Sequence, residues 1–440
     1  MSQANETQDN RIHKPTDDQI GDMLMADWEG RVAYFFGQWQ AYSGGVWSPM
    51  AETQFERRIW DKLKALKANG IKPGAHKVSS VTKYLRAYLW VDDQKIDRDP
   101  NTINLKNGLF NIETTQLEKH RREIFSTSQL PFDYDPDADC PHFRQFAETV
   151  LVNPNSHEVD PELRYLVWEA LGYSLTASTE HRVSFWLVGE SATGKSVLIN
   201  VLQALAGSSH VSIDLDTLSS NPYQIADVAG KRVVTFTEPR ANAVLADNHY
   251  KRLVSQDTIS TRQIYGKPFS FRPMCKVWGA MNETPRVIDR SDAIFNRVMI
   301  LPMNHVIPEN QRDRQLTDKL LSELAGIFNI ALIGLKRLKH SGEFTVCTQS
   351  LSARQEYKAE NDIESAFVAD WCIRDPQSKV RGQQLYDAYN SWCRRNGAFP
   401  KSSVKVARDW TRLGFKKIRS NGIWYQGVRL NEIGASHVSR

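Results

Sequence analysis

Residues 189–196 read Gly-Glu-Ser-Ala-Thr-Gly-Lys-Ser, and no other stretch narrows the possible folds as far. They fill every fixed position of the phosphate-loop pattern G-x-x-x-x-G-K-[ST]. Residues 183–188 before them are a short run of β-forming side chains. Residues 197–205 after them are apolar, helix-length and soon followed by Gly207. A strand, a glycine-rich turn and a helix start aim backbone N–H groups and a helix dipole at a phosphate chain. Gly189, Glu190, Ser191, Ala192, Thr193 and Gly194 would form the cradle. Lys195 would reach the β- and γ-phosphates of ATP, and the Ser196 hydroxyl would ligate Mg²⁺.

Three further strands are expected downstream. Residues 231–238 form an apolar run ending in Glu238, the form of a Walker B strand that brings a carboxylate beside Mg²⁺ and the attacking water. Residues 275–282 form another, ending in Asn282, whose amide is placed to hydrogen-bond the γ-phosphate or its water. Residues 296–301 form a third, with Arg297 at its start. Strands alternating with helices after a phosphate loop imply an α/β fold with a mostly parallel sheet. Such sheets bind ligand at the carboxyl ends of their strands, where Glu238 and Asn282 fall. Between the first two of these, residues 259–271 are two alternating runs around Gly266-Lys267. They predict a hairpin whose basic tip, Tyr265, Gly266 and Lys267, is a candidate DNA lever; a plain solvated turn is the other reading.

A chain of 440 residues exceeds one compact core, so several domains are expected. The polar N-terminus lacks the apolar core of a signal peptide, and no run of about 18 apolar residues could span a membrane. Residues 1–18 read as a disordered tail. Residues 19–141 read as an N-terminal α+β module: 31–36 apolar and helix-compatible, 42–47 a turn into a strand, 53–68 a helix, 103–112 a hairpin about Asn107-Gly108, and 131–141 a Pro/Asp-rich linker. The acidic pairs Asp92-Asp93 and Asp137 with Asp139 read as solvated turns. Residues 142–177 have a helical pattern leading into the ATPase, assigned 142–308, and a helical lid or linker follows at 309–375. In 376–440, a helix holding Leu385, Tyr386, Tyr389 and Trp392 precedes a second holding Lys405, Arg408 and Arg412. Two strands about Asn421-Gly422 follow, the first with Lys416 and Lys417. Helices followed by a basic hairpin outline a winged helix.

Charge is uneven. Residues 379–440 hold thirteen Lys or Arg against three Asp or Glu, a net of +10, which leaves the remainder of this +5 chain at −5. A basic end on an acidic body favours a nucleic-acid contact there over a merely solvated surface. The five cysteines (Cys140, Cys275, Cys347, Cys372, Cys393) have no C-x-x-C pair and no His partner at metal spacing. That argues for reduced cytosolic thiols and against zinc.

In their order, the motifs resemble those of superfamily 3 helicases of the phage and plasmid primase-helicase type, relatives of the poxvirus helicase-primase. The order runs from the phosphate loop to Gly230-Lys231-Arg232 through Glu238, then Lys251-Arg252-Leu253 with Asp257 and Arg262, then Asn282-Glu283-Thr284-Pro285, then Arg297. The resemblance covers residues 28–440 and is strongest over 185–302. It implies an AAA+ core, ATP and Mg²⁺ as cofactors, and a homo-oligomer, a hexameric ring. It also implies single-stranded and forked DNA as partners, and a separate primase or polymerase. It makes Lys195 and Ser196 the phosphate and Mg²⁺ ligands, Glu238 the residue that polarises water, and Asn282 the sensor. Arg297 is similar to the family's arginine finger, which acts on ATP bound by the neighbouring subunit, and Tyr265-Gly266-Lys267 matches its channel hairpin. Two departures stand out: Thr237 precedes Glu238 where a second acid is common, and Asn296 precedes Arg297 where a second Arg is common. The residues ahead of the ATPase lack a spaced acidic triad, so primer synthesis is not expected in this polypeptide. The resulting expectation is an ATP-dependent, ring-forming DNA helicase that replicates a mobile element in the cytoplasm of a bacterial host. The alternatives are an origin-binding initiator or loader ATPase, and a DNA-binding regulator with a vestigial ATPase; intact Lys195, Glu238, Asn282 and Arg297 speak against the last.

Overall fold

The computed structural model describes residues 14–215, 218, 221–237, 244–245, 247–262, 268–287 and 292–437. Its central sheet has five strands: β1 (Ser184–Val188), β2 (His210–Ser212), β3 (Val233–Thr237), β4 (Lys276–Met281) and β5 (Val298–Pro302). All pair in parallel, in the order β5-β1-β4-β3-β2. Strands of a parallel sheet are covered on both faces and read as near-continuous apolar runs; β4 is buried at every position. Because successive side chains point to opposite faces, Phe185 and Leu187 enter one core and Trp186, between them, enters the other. The first core is completed by helices Lys195–Ala206, Pro161–Ser174 and Leu324–Ser341. The second is completed by Tyr250, Leu253 and Val254 of helix Asp247–Ser255 and by Tyr357 of helix Thr348–Glu360.

The N-terminal part differs from its sequence expectation in several places. Residues 32–35 are a strand, Val32–Phe35, paired with Gln38–Ser43. The joining residues Phe36 and Gly37 both have positive φ (52° and 73°), the backbone of a type I′ hairpin; a helix-compatible apolar run could not reveal a Phe in that conformation. The tail is shorter than expected, because helix Asp17–Trp28 starts inside it with a capping box on Thr16 and Gln19. The hairpin at 103–112 is present, but Leu105 pairs with Gly108, so Lys106-Asn107 forms the loop. Residues 142–177 are two helices, Pro141–Val150 and Pro161–Ser174, the second started by Asp160, whose carboxylate accepts from the Leu163 N–H.

Residues 131–141 are no free tether. Phe132, Tyr134 and Phe110 surround Phe328 with ring centroids 5.6, 6.2 and 5.9 Å away. The Asn329 amide donates to the carbonyls of Asp135 and Ala138 (2.9 and 3.1 Å). Gly326 lets the segment approach the helix, since a Cβ there would meet the Asp139 carbonyl oxygen at 2.3 Å. Ile103, Leu105 and Phe110 therefore share one core with the phosphate-loop helix.

The C-terminal region is a strand (Cys372–Arg381), two helices (Gly382–Arg395 and Ser403–Arg412) and a hairpin (Lys416–Arg419 with Ile423–Leu430). Cys372–Arg381 pairs with Ile423–Leu430 and makes one edge of the three-stranded sheet. Pro376 falls at a register shift on that edge strand, where a missing N–H is tolerated.

Candidate nucleotide site and its surroundings

The phosphate loop joins β1 to helix Lys195–Ala206, as its flanks require. Two glycines serve different ends. Gly194 caps the helix with φ 90°, a left-handed conformation that glycine adopts freely. Gly189 is needed for room: a Cβ would stand 2.0 Å from the Met303 carbonyl oxygen. The chain beyond β5 thus straps the loop, with Met303 N–H donating to Val188 O (2.7 Å) and Ile307 N–H to Ala192 O (2.9 Å). No sequence signal marked Met303 or Ile307 for this task.

The helix start has no side-chain cap and no acidic residue in its first turn, so its N–H groups suit an anion. Lys195 is buried, and its ammonium donates to the carbonyls of Gly189 (2.7 Å) and Glu190 (2.6 Å). Ser196 is exposed at the same helix start. A phosphate chain with a divalent cation therefore fits the donors present: the N–H groups of an uncapped helix start, one ammonium and one hydroxyl. Asn282 follows β4, the neighbour of β1, and its amide reaches the Ser191 hydroxyl at 3.5 Å. β3 ends at Thr237; Glu238, like Tyr265, Gly266 and Lys267, lies outside the described residues. The stems of the expected hairpin do pair, Ile259–Arg262 with Pro268–Phe271.

Arg297 is not brought to this site. It precedes β5, level with Ser184 at the amino end of β1, and its carbonyl accepts from the Ser184 N–H (2.7 Å) and hydroxyl (3.0 Å). At about 3.3 Å per residue, the five residues of β1 put it roughly 16 Å from its own phosphate loop. Beside the loop a cleft of about 1620 Å³ opens between the carboxyl ends of β1 and β4, helix Thr348–Glu360 and the C-terminal region. Its wall is tied together: Tyr357 donates to Pro285 O (2.9 Å), Val287 N–H to the Asn361 side chain (3.0 Å), and Arg286 to Gly397 O (2.9 Å). Asp160, Glu162 and Cys347 lie close enough to hold a metal. Their carboxylates instead accept from Leu163, Gln349 and Thr348, and burial pushes the Cys347 thiol up, so they read as helix caps.

At the amino ends of the strands, Lys276 is buried. It donates to Thr176 O (2.7 Å) and stands 4.6 Å above the Tyr173 ring. Burial first, and the charge of Arg232 second, push its ammonium down to about 7.

Of the expected DNA-contacting residues, Lys405, Arg408, Lys416 and Lys417 are exposed. Arg412 is tied to Asp362 (3.4 Å) and Asp409 (3.8 Å). Lys416 and Lys417 are consecutive on a strand, so they point to opposite faces of the hairpin.

The five-stranded parallel sheet and the glycine-rich loop after its β1 define a mixed α/β core with a phosphate-loop motif. A family model described as D5 N terminal like matches residues 22–152, and one described as a family of unknown function (DUF5906) matches 187–297. A candidate helicase of Acanthamoeba polyphaga mimivirus is 22% identical over 89% of this chain and 43% of its own length. A candidate helicase of Frog virus 3 (isolate Goorha) is 24% identical over 55% of this chain and 27% of its own. The chain thus spans less than half the length of these relatives. The A form apo structure of the NrS-1 C-terminal region aligns with a TM-score of 0.50 at 13% identity, covering 86% of this chain and 80% of that one, a likeness of fold alone. These matches make the chain similar to D5 N-terminal-like sequences over residues 22–152 and to viral proteins described as helicases. Both relatives are proteins of eukaryotic viruses, so the expected bacterial host has no support from them. Among the described residues, no helix is long and apolar enough to cross a membrane.

Proposed function

We propose that this chain is an ATP-driven, Mg²⁺-dependent DNA helicase that works as a ring of identical subunits, a hexamer by its resemblance, in replicating a viral or other mobile genome.

ATP would lie with its phosphates in the 189–196 loop and its base toward the adjoining cleft. Lys195 would hold the β- and γ-phosphates, Ser196 the Mg²⁺, and Asn282 the γ-phosphate or its water, with Glu238 supplying the carboxylate that polarises that water. The observation that carries this reading is the joint placement of a buried Lys195 in an uncapped helix start and the Asn282 amide on the adjacent strand, 3.5 Å from the loop. Arg297 lies at the amino end of β5, far from its own loop, a position that suits a residue acting on the nucleotide of a neighbouring subunit. We assign residues 376–440 to a winged helix whose Lys405, Arg408, Lys416 and Lys417 meet DNA phosphates, and the 259–271 hairpin, with Tyr265, Gly266 and Lys267 at its tip, to the DNA channel. The parts would then be an N-terminal module (19–141), the ATPase (142–308), a helical lid (309–375) and the winged helix, with priming left to a separate primase or polymerase.

The test is unwinding of a forked duplex by the purified chain with ATP and Mg²⁺, beside Lys195→Ala. Strand displacement that needs both ATP and Lys195 is expected. Hydrolysis and duplex binding without displacement would favour an origin-binding loader instead, and hydrolysis by Lys195→Ala at the wild-type rate would refute the nucleotide site.

A further inference from the structure

Inside the second core, three polar side chains form a continuous chain. The Trp186 indole N–H donates to the Tyr250 hydroxyl (2.7 Å), which donates to the Ser184 hydroxyl (2.6 Å). The Ser184 hydroxyl in turn donates to the Arg297 carbonyl (3.0 Å). Trp186, Tyr250 and Ser184 are all fully buried. A Phe at 250 would leave the buried Trp186 N–H without its acceptor, so the Tyr250 hydroxyl both satisfies the indole and reaches on to Ser184. What the hydroxyls add is direction: a satisfied buried network fixes one arrangement of the groups it joins. The group at its end is the backbone of Arg297.

The other end leads to the hairpin. Tyr250 lies on helix Asp247–Ser255, which connects to the stem Ile259–Arg262 through only three residues. The junction is tight: Gln256 is buried with φ 59°, Asp257 N–H donates to Arg252 O (3.0 Å), and the Arg252 guanidinium donates to Thr258 O. A displacement of the stem therefore has a short, packed route to Tyr250.

We propose that Tyr250 is a positioning residue for Arg297, and that through it the 259–271 hairpin and Arg297 shift together. The proposal rests on the reading of Arg297 as a residue that acts on a neighbour's nucleotide. Tyr250 touches no nucleotide; it acts through Ser184 and the Arg297 backbone.

The experiment is a double-mutant cycle on the full chain, with steady-state ATP hydrolysis measured with and without single-stranded DNA. Tyr250→Phe keeps the ring and loses the hydroxyl; Ser184→Ala breaks the same chain one step on and guards against a folding defect in the first variant. Both are expected to lower kcat by ~10- to ~100-fold, the effect of misplacing a reacting group by about 1 Å. KM for ATP should change by no more than about two-fold, because the lost interaction belongs to the transition state. The stimulation by single-stranded DNA should fall toward one. In an Arg297→Ala background, Tyr250→Phe should lower kcat no further. A Tyr250→Phe chain that melts lower but turns over normally, a loss that multiplies with that of Arg297→Ala, or DNA stimulation that survives unchanged would each overturn the proposal. Lys195→Ala separates the two levels: if it hydrolyses ATP normally, the nucleotide site itself is wrong, whereas its inactivity beside a normal Tyr250→Phe convicts the positioning role alone.

Discussion

Gly189→Ala is the substitution whose consequences can be worked most directly from the coordinates. The added Cβ would lie 2.0 Å from the Met303 carbonyl oxygen and 2.9 Å from its carbonyl carbon. An ordinary C···O contact is about 3.3 Å, so strap and loop must part by more than ~1 Å. Neither side is a flexible side-chain end; both are backbone. The overpacking costs ~1–3 kcal/mol. The separation also stretches the Met303–Val188 and Ile307–Ala192 hydrogen bonds, now 2.7 and 2.9 Å, each contributing about 1 kcal/mol. Together these give ~3–5 kcal/mol, and at roughly 2–4 °C per kcal/mol for a unit of this size the melting midpoint should fall by ~6–20 °C. A loop displaced by about 1 Å should also lose ~10²-fold in turnover. The assay is thermal unfolding together with ATP hydrolysis. Ala192→Gly serves as the control: Ala192 already has φ 62°, which glycine adopts without strain, so that change should stay within ~1 kcal/mol of wild type. A Gly189→Ala chain that melts and turns over like wild type would refute the argument that the Met303 strap sets the shape of the loop.

Arg297→Ala should bind ATP and hydrolyse it ~10³- to ~10⁵-fold more slowly. Mixed in equal amounts with Lys195→Ala it should recover up to about a quarter of wild-type turnover, since random assembly of head-to-tail rings leaves that share of interfaces with both residues intact; no recovery despite subunit exchange would count against a shared site. Replacing Lys405, Arg408, Lys416 and Lys417 by Ala should reduce the slope of log affinity for duplex DNA against log salt by up to about 4. An unchanged slope would move the DNA contact elsewhere. For Lys276, the folded ammonium is pushed down from 10.5 to about 7, so the unfolded chain binds more protons between those values and stability rises with pH across that window. Lys276→Met should flatten the rise in urea midpoint between pH 7 and 9.5 relative to wild type; a slope unchanged by the substitution would mean that Lys276 does not carry it.

The phosphate loop, its two flanks and the strands carrying Asn282 and Arg297 were legible because each rests on a local pattern: fixed glycines, a short apolar run, a polar residue at its end. The hairpin stems at 259–271 and the two C-terminal helices with their hairpin were legible for the same reason, whereas the strand Cys372–Arg381 that pairs with that hairpin was not. What the sequence concealed depends on distant approach. Gly189 reads as a turn glycine, yet its reason is Met303, more than a hundred residues on. Phe36 reads as a helix or core residue, yet it occupies a left-handed turn position. Arg412 reads as one more base on a basic helix, but Asp362 and Asp409 hold it. Tyr250 carries no sequence signal beyond being a phenol in an amphipathic stretch, and only the fold sets it between Trp186 and Ser184.

The segment 131–141 has a mechanical consequence. Its aromatic side chains surround Phe328, and its carbonyls are gripped by Asn329, on a helix that itself packs into the phosphate-loop core. Torque applied to the strands Thr102–Leu105 and Gly108–Asn111 therefore reaches the phosphate-loop core through interlocked rings and hydrogen bonds. A truncation made at residue 142 would not trim a tether; it would strip the cover from Phe328 and leave an oily socket facing water. The N-terminal block behaves as a flange cast with the phosphate-loop core, and whatever grips one displaces the other.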